Sequence, residues 1–248
     1  MRKNTAIGLC AALSTAFAGC YGHHLTPAAT PPKAVAVRPP LVAAMQGHYT
    51  IERDGERIGD ERFTVTSSAG VWRVEGEVKL ASPTASVHGY VLEIDEATAE
   101  PHRFHVWFEL YGARREATGR RTEDGFIHVE TTGIGGTRTK EVPYAAGTAI
   151  AYDSPLFATM ALSLLVGSMQ PDTPVAVRTI LMPLPDLAPT VLLTTYRLEE
   201  REGGVAKVVV ERPRTKLPVA MWVRDDGLPV RVRTFVARGA PPIERRLE

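Results

Sequence analysis

Seven histidines, His23, His24, His48, His88, His102, His105 and His128, are the side chains best suited to proton transfer or metal ligation near neutral pH. Their spacing argues against both roles. His102 and His105 stand three apart in an expected strand, where successive side chains alternate, so they point to opposite faces. His48, His88 and His128 lie singly in or beside strands and read as solvated or hydrogen-bonded residues, while His23-His24 falls in a Pro/Ala-rich stretch. No metal and no cofactor is assigned. A nucleophilic serine needs a Gly-x-Ser-x-Gly elbow or a Ser-x-x-Lys helix, and the chain has neither, nor a His-Glu-x-x-His or phosphate-loop motif. Glu109, Glu130 and Asp95 are formal candidates for a glycosidase carboxylate pair, but each reads better as the wet face of a strand. Arg114, Arg115, Arg120 and Arg121, interspersed with Glu116 and Glu123, read as a mixed-charge face. The two cysteines, Cys10 and Cys20, both precede the region with strand periodicity, which leaves that region no disulfide framework, thiolate site or cysteine nucleophile. The chain reads as a non-enzyme.

The elements that would position these residues show period-two alternation. In Val71 to Leu80, Trp72, Val74, Val78 and Leu80 share one face, while Arg73, Glu75, Glu77 and Lys79 share the other. Comparable runs cover 49–53, 57–66, 86–94, 103–111, 114–121 and 126–131, then 175–182, 191–199, 205–212, 219–224 and 230–236. Asp54-Gly55, Ala69-Gly70, Asp124-Gly125, Gly203-Gly204 and Asp226-Gly227 separate several of them with residues that tolerate positive φ. Gly133 to Gly136 reads as a loop. The fold class expected is mainly β: a strongly curved antiparallel sheet of about ten strands, a β-roll or half-barrel, because strong twist prevents so wide a sheet from staying flat. One segment breaks the alternation. Ser154 as cap, Pro155 at the first helical position and Gly167 just past the end frame one buried apolar helix over 155–166. Trp72, Phe104, Phe108, Phe157, Met160, Leu164 and Trp222 are the candidate lining of a cavity between sheet and helix.

Arg2-Lys3 followed by the apolar run Thr5 to Phe17 has the layout of a secretory signal peptide, too short to span a bilayer. Phe17-Ala18-Gly19-Cys20 resembles the lipobox of bacterial lipoproteins, with Phe17 where Leu is usual. The resemblance implies cleavage before Cys20, acylation of Cys20 as membrane anchor and, with Tyr21 rather than Asp next, an outer-membrane location. The expected organisation is a signal peptide over 1–19, a lipidated Pro/Ala-rich tether over 20–45 and a single domain over 46–248. The apolar helix following Tyr152-Asp153-Ser154-Pro155, and the later run Met221-Trp222-Val223-Arg224-Asp225-Asp226-Gly227-Leu228-Pro229-Val230, make the domain similar in architecture to the lipoprotein carriers LolA and LolB and to spiral β-roll envelope proteins.

Charge narrows the partners. Lys plus Arg is 29 against 28 for Asp plus Glu, and losing Arg2 and Lys3 with the leader leaves 27 against 28. A neutral domain carries no electrostatic footprint for nucleic acid. The expectation is a non-catalytic envelope lipoprotein facing the periplasm and binding an apolar ligand or lipid. The alternative is a structural module that docks another envelope protein. An envelope hydrolase would need polar groups gathered in one cleft, and the sequence shows no such gathering.

Overall fold

In a computed structural model of the chain, the described residues are 45–248 except 82–83, 99, 155, 158–164, 214 and 236–239; of 215–217 only the backbone is described. They form β1 (Met45–Arg53), β2 (Glu56–Ser68), β3 (Val71–Leu80), β4 (Ser86–Asp95), β5 (Pro101–Leu110), β6 (Ala113–Arg121), β7 (Phe126–Gly133) and β8 (Gly136–Pro143). These are followed by β9 (Ala149–Ala151), β10 (Val175–Leu181), β11 (Thr190–Glu202), β12 (Val205–Arg212), β13 (Thr215–Arg224), β14 (Pro229–Thr234) and β15 (Ile243–Leu247).

All fifteen strands belong to one sheet, in the order β8-β7-β6-β5-β4-β3-β2-β1-β15-β14-β13-β12-β11-β10-β9. Neighbours are antiparallel except β9 and β10, which run parallel. The chain therefore meanders outward from β1 to β8, crosses to the far end of the ladder at β9, and meanders back until β15 pairs with β1.

That crossing requires curvature. A flat sheet of this many strands would separate β8 from β9 by about 65 Å at roughly 4.8 Å per strand. Residues 144–148 are the whole connection, and so short a link reaches only about 20 Å. The two ends must approach each other, and contacts between them bear this out. Arg178 of β10 donates to the Pro143 carbonyl at 3.0 Å, and Lys140 of β8 donates to the Pro189 carbonyl at 2.8 Å. Arg115 of β6 pairs with Asp186 at 2.6 Å. No ladder joins β8 to β9, so the sheet is curled but not closed.

The expected alternation places the core. Tyr49, Phe63, Val65, Trp72, Val74, Tyr90, Leu92, Ile94, Phe104 and Val106 are buried in one apolar cluster on the concave face. A second cluster gathers β10 to β14 residues around Tyr196, Val208, Met221 and Val223. Hairpins follow the turn chemistry: Asp54 and Gly55, at φ 55° and 79°, adopt the doubly left-handed conformation that suits a two-residue hairpin.

The sheet is wider than expected. β8, β9 and β15 extend it beyond the twelve segments read from alternation, because each lacks a two-residue apolar period. β8 is exposed at every position but Val142, β9 is three residues long, and β15 reads Ile-Glu-Arg-Arg-Leu. Gly136 opens a strand rather than sitting in a loop. Tyr111, read as the end of a strand, is instead a turn residue at φ 52° and 86% exposed. The helix read over 155–166 lies mostly on residues outside the described ones; Leu156, Phe157 and Val166, which are described, are buried. Ser154 Oγ accepts the Leu156 N–H at 3.2 Å.

Candidate functional site

The concave face carries charge where its strand pattern calls for apolar residues. Glu61 shares the parity of Phe63 and Val65 in β2, and His88 that of Tyr90 and Leu92 in β4; both are fully buried. The register sets them in one row across the sheet, with Glu61 opposite Val78, Val78 opposite His88 and His88 opposite Phe108. Arg245 enters from β15, and Asp153 and Ser154 from the segment after β9.

The contacts are specific. Glu61 Oε1 accepts from Ser154 Oγ at 2.6 Å and from the Tyr90 hydroxyl at 2.8 Å. Arg245 Nη2 donates to Asp153 Oδ2 at 3.1 Å, and His88 Nε2 lies 3.3 Å from the same oxygen. Gly76 makes room for this arrangement, since a Cβ there would stand 2.4 Å from the Tyr90 hydroxyl. Two further interior hydroxyls are held by carbonyls, Tyr49 by Pro229 at 2.6 Å and Tyr152 by Trp107 at 2.7 Å.

Burial and charge pull the two acids apart. For Glu61, burial outweighs the attraction of Arg245 and the hydrogen bonds from Ser154 and Tyr90, and raises the carboxyl above its ordinary value. For Asp153, burial acts the same way but is overcome by Arg245 and His88, which hold the carboxyl well below the usual range. Asp153 also keeps 45% of its side chain open to solvent, so the cluster has an accessible side. Burial, then Glu61, raises the Tyr90 hydroxyl well above the ordinary tyrosine value.

Aromatic rings adjoin these polar groups. Phe157 packs edge-on against Tyr90 at 5.3 Å and tilted against Tyr152 at 5.6 Å, and His88 lies 6.0 Å from Tyr152 and 6.2 Å from Phe108. Of the candidate lining, Trp72, Phe104 and Phe157 share the concave apolar cluster, and Phe108 borders His88. Trp222 does not join them. It lies on the opposite face, between Lys207 at 5.7 Å and Arg231 at 4.5 Å, because its parity in β13 is opposite to that of buried Met221 and Val223. Met160, Leu164 and Cys20 lie outside the described residues.

The arginine cluster disperses. Arg115 pairs with Asp186 and Arg121 with Glu100, while Arg114 covers the Trp107 ring at 4.6 Å. Arg120 faces Arg103 across the ladder in a shallow outer groove of about 470 Å³ that also holds His105, His128 and Glu130. Asp95 ends β4 and holds the turn that follows, its Oδ1 accepting the N–H groups of Ala97 and Thr98. The histidine at 88, read as an ordinary strand residue, belongs to the interior cluster. Glu61 was missed, although an acid on an apolar parity was a readable signal; Arg245 gave none, since β15 was not recognised.

By sequence the chain matches no protein family and no curated protein. By structure it is similar to a beta-barrel-like protein of domain of unknown function DUF1849 from Brucella abortus, with TM-score 0.57 and 13% identity over 86% of this chain and 98% of that one. A DUF1089 family protein from Pseudomonas aeruginosa aligns at TM-score 0.46 and 13% identity, over 80% of this chain and 92% of that one. The first likeness shows the fold: a β-rich, barrel-like sheet.

Proposed function

We propose that the chain is a non-catalytic lipoprotein, anchored through Cys20 to the outer membrane and facing the periplasm, whose β-roll binds an apolar ligand or lipid. The observation that carries this reading is the aromatic group of Tyr90, Tyr152, Phe157 and Phe108 on the concave face, continuous with a broad apolar wall and adjoining a polar cluster with an accessible side. In this proposal the segment from Leu156 to Val166 moves to admit the ligand. The test is native mass spectrometry of the full chain purified from bacterial envelopes, with extraction of whatever copurifies. A stoichiometric lipid supports the reading; a bare mass that stays unchanged after incubation with envelope lipids overturns it.

The second reading, a module that docks another envelope protein, is favoured by β8, an end strand with every side chain but Val142 exposed. It predicts the bare mass and a partner that crosslinks to β8.

A further inference from the structure

The interior cluster leaves particular atoms unmatched. Glu61 Oε2 and Arg245 Nε stand 3.8 Å apart, beyond hydrogen-bond reach, and neither has a hydrogen-bond partner among the described residues. Glu61 is fully buried and Arg245 is only 10% exposed, so both atoms are withdrawn from bulk water. Leaving such groups unmatched costs stability. With Glu61 drawn toward its uncharged form and Oε1 accepting from Ser154 and Tyr90, the proton falls on Oε2, so Oε2–H and Arg245 Nε–H are two donors that suit one shared acceptor. His88, fully buried in the same row, also leaves its Nδ1 without a partner among the described residues.

Charge restricts what that group is. Arg245 and Asp153 already neutralise each other at 3.1 Å, and burial draws Glu61 toward its uncharged form. A carboxylate or phosphate at this point would add a buried negative charge beside Asp153, and an ammonium would face Arg245 with no acceptor to meet it. A hydroxyl or amide satisfies both neighbours without adding charge to a buried, balanced site. Beside it, the Tyr90, Tyr152 and Phe157 rings offer an apolar bed for whatever is attached.

Building on the apolar-ligand reading, we propose that the ligand carries an uncharged hydrogen-bonding head, an alcohol or an amide, seated between Glu61 and Arg245 with its apolar body along Tyr90, Tyr152 and Phe157. The head group, more than the chain, sets which apolar molecules the site accepts.

The test uses the full chain and probes of one chain length with different heads: dodecanol, dodecanamide, dodecanoate and dodecylammonium, each below its aggregation concentration. Affinities are measured by titration calorimetry and stoichiometry by native mass spectrometry. The expected result is that the alcohol and amide bind tighter than both ions by about tenfold or more, as a site with unmatched buried polar groups discriminates. Glu61→Leu should abolish that preference while the chain still binds. Should Glu61→Leu fail to fold, the near-isosteric Glu61→Gln is used, and a shift in the alcohol-to-carboxylate ratio is expected. Equal binding of all four probes, or tighter binding of either ion, overturns the head-group assignment and leaves the apolar-ligand reading standing. A preference unchanged in the variant that folds also overturns it and assigns the gap to ordered water. If no probe binds, the apolar-ligand reading falls, and this inference with it.

Discussion

Replacing Arg245 with methionine tests the interior cluster most directly. The substitution keeps much of the side-chain length and removes the cation that bonds Asp153 at 3.1 Å and faces Glu61 at 3.8 Å. Removing one partner from a buried ionic group costs about 3–5 kcal/mol, because the remaining charges lose their compensation. The cost should depend on pH in a definite direction. Burial already raises the folded pKa of Glu61, and Arg245 opposes that rise. Without Arg245 the folded value climbs further above the unfolded one, which is about 4.3. A carboxyl raised on folding holds its proton more tightly in the folded state. Its stabilising contribution is full below the unfolded pKa and is lost as pH rises toward the folded one, at up to about 1.4 kcal/mol per pH unit. Asp153 is ionised in both states across the neutral range and adds no slope there as long as its pKa stays below that range. Urea unfolding of the parent and Arg245→Met chains at about pH 5 and about pH 8 should show a deficit larger at the higher pH by at least about 1.4 kcal/mol, one pH unit of proton linkage. Adding Glu61→Gln to the Arg245→Met chain should remove that difference. A deficit equal at the two pH values, or one below about 1 kcal/mol, would refute the reasoning, since a solvated ion pair is worth no more than that.

Three further outcomes are expected. Gly119→Ala sets a Cβ 2.1 Å from the buried Phe104 ring and should destabilise the fold by about 1–3 kcal/mol, a cost that shrinks in a Phe104→Leu background when both are followed by chemical denaturation. Burial opposes ionisation of Glu244, but its hydrogen bonds from Arg231, Arg233 and Arg246 prevail and lower it to about 2. Its contribution should therefore be complete above the unfolded value and be lost as pH falls toward about 2, so Glu244→Gln should lower the melting temperature at neutral pH and much less near about pH 3. Cys20→Ser should move the chain from the membrane fraction to the soluble envelope fraction and remove any acyl mass; an unchanged distribution would count against the anchor.

The strands that were legible share a property. Val71 to Leu80 announces itself because one face is buried and the other wet, so the burial pattern and the residue pattern coincide. β8 has both faces exposed and β15 is a short arginine-rich strand that the alternation does not flag, so neither leaves that signature. Trp222 shows the limit of reading by residue type. Its size suggested the interior, but parity in β13 sends it outward to Lys207 and Arg231. Glu61 was the reverse case, an acid that parity sends inward.

Alternation and turn chemistry, read from the sequence by itself, determined a predominantly antiparallel, strongly curved sheet, because a period of two and a hairpin are local properties of the chain. What only the tertiary structure decided is which distant residues share the interior. Glu61 and Arg245 meet because β15 returns to pair with β1 beside β2, and Asp153 reaches His88 because the chain crosses the sheet before β9. Such encounters depend on strand order and register over the whole sheet, which no local pattern encodes, and they place the charged cluster inside an otherwise apolar wall.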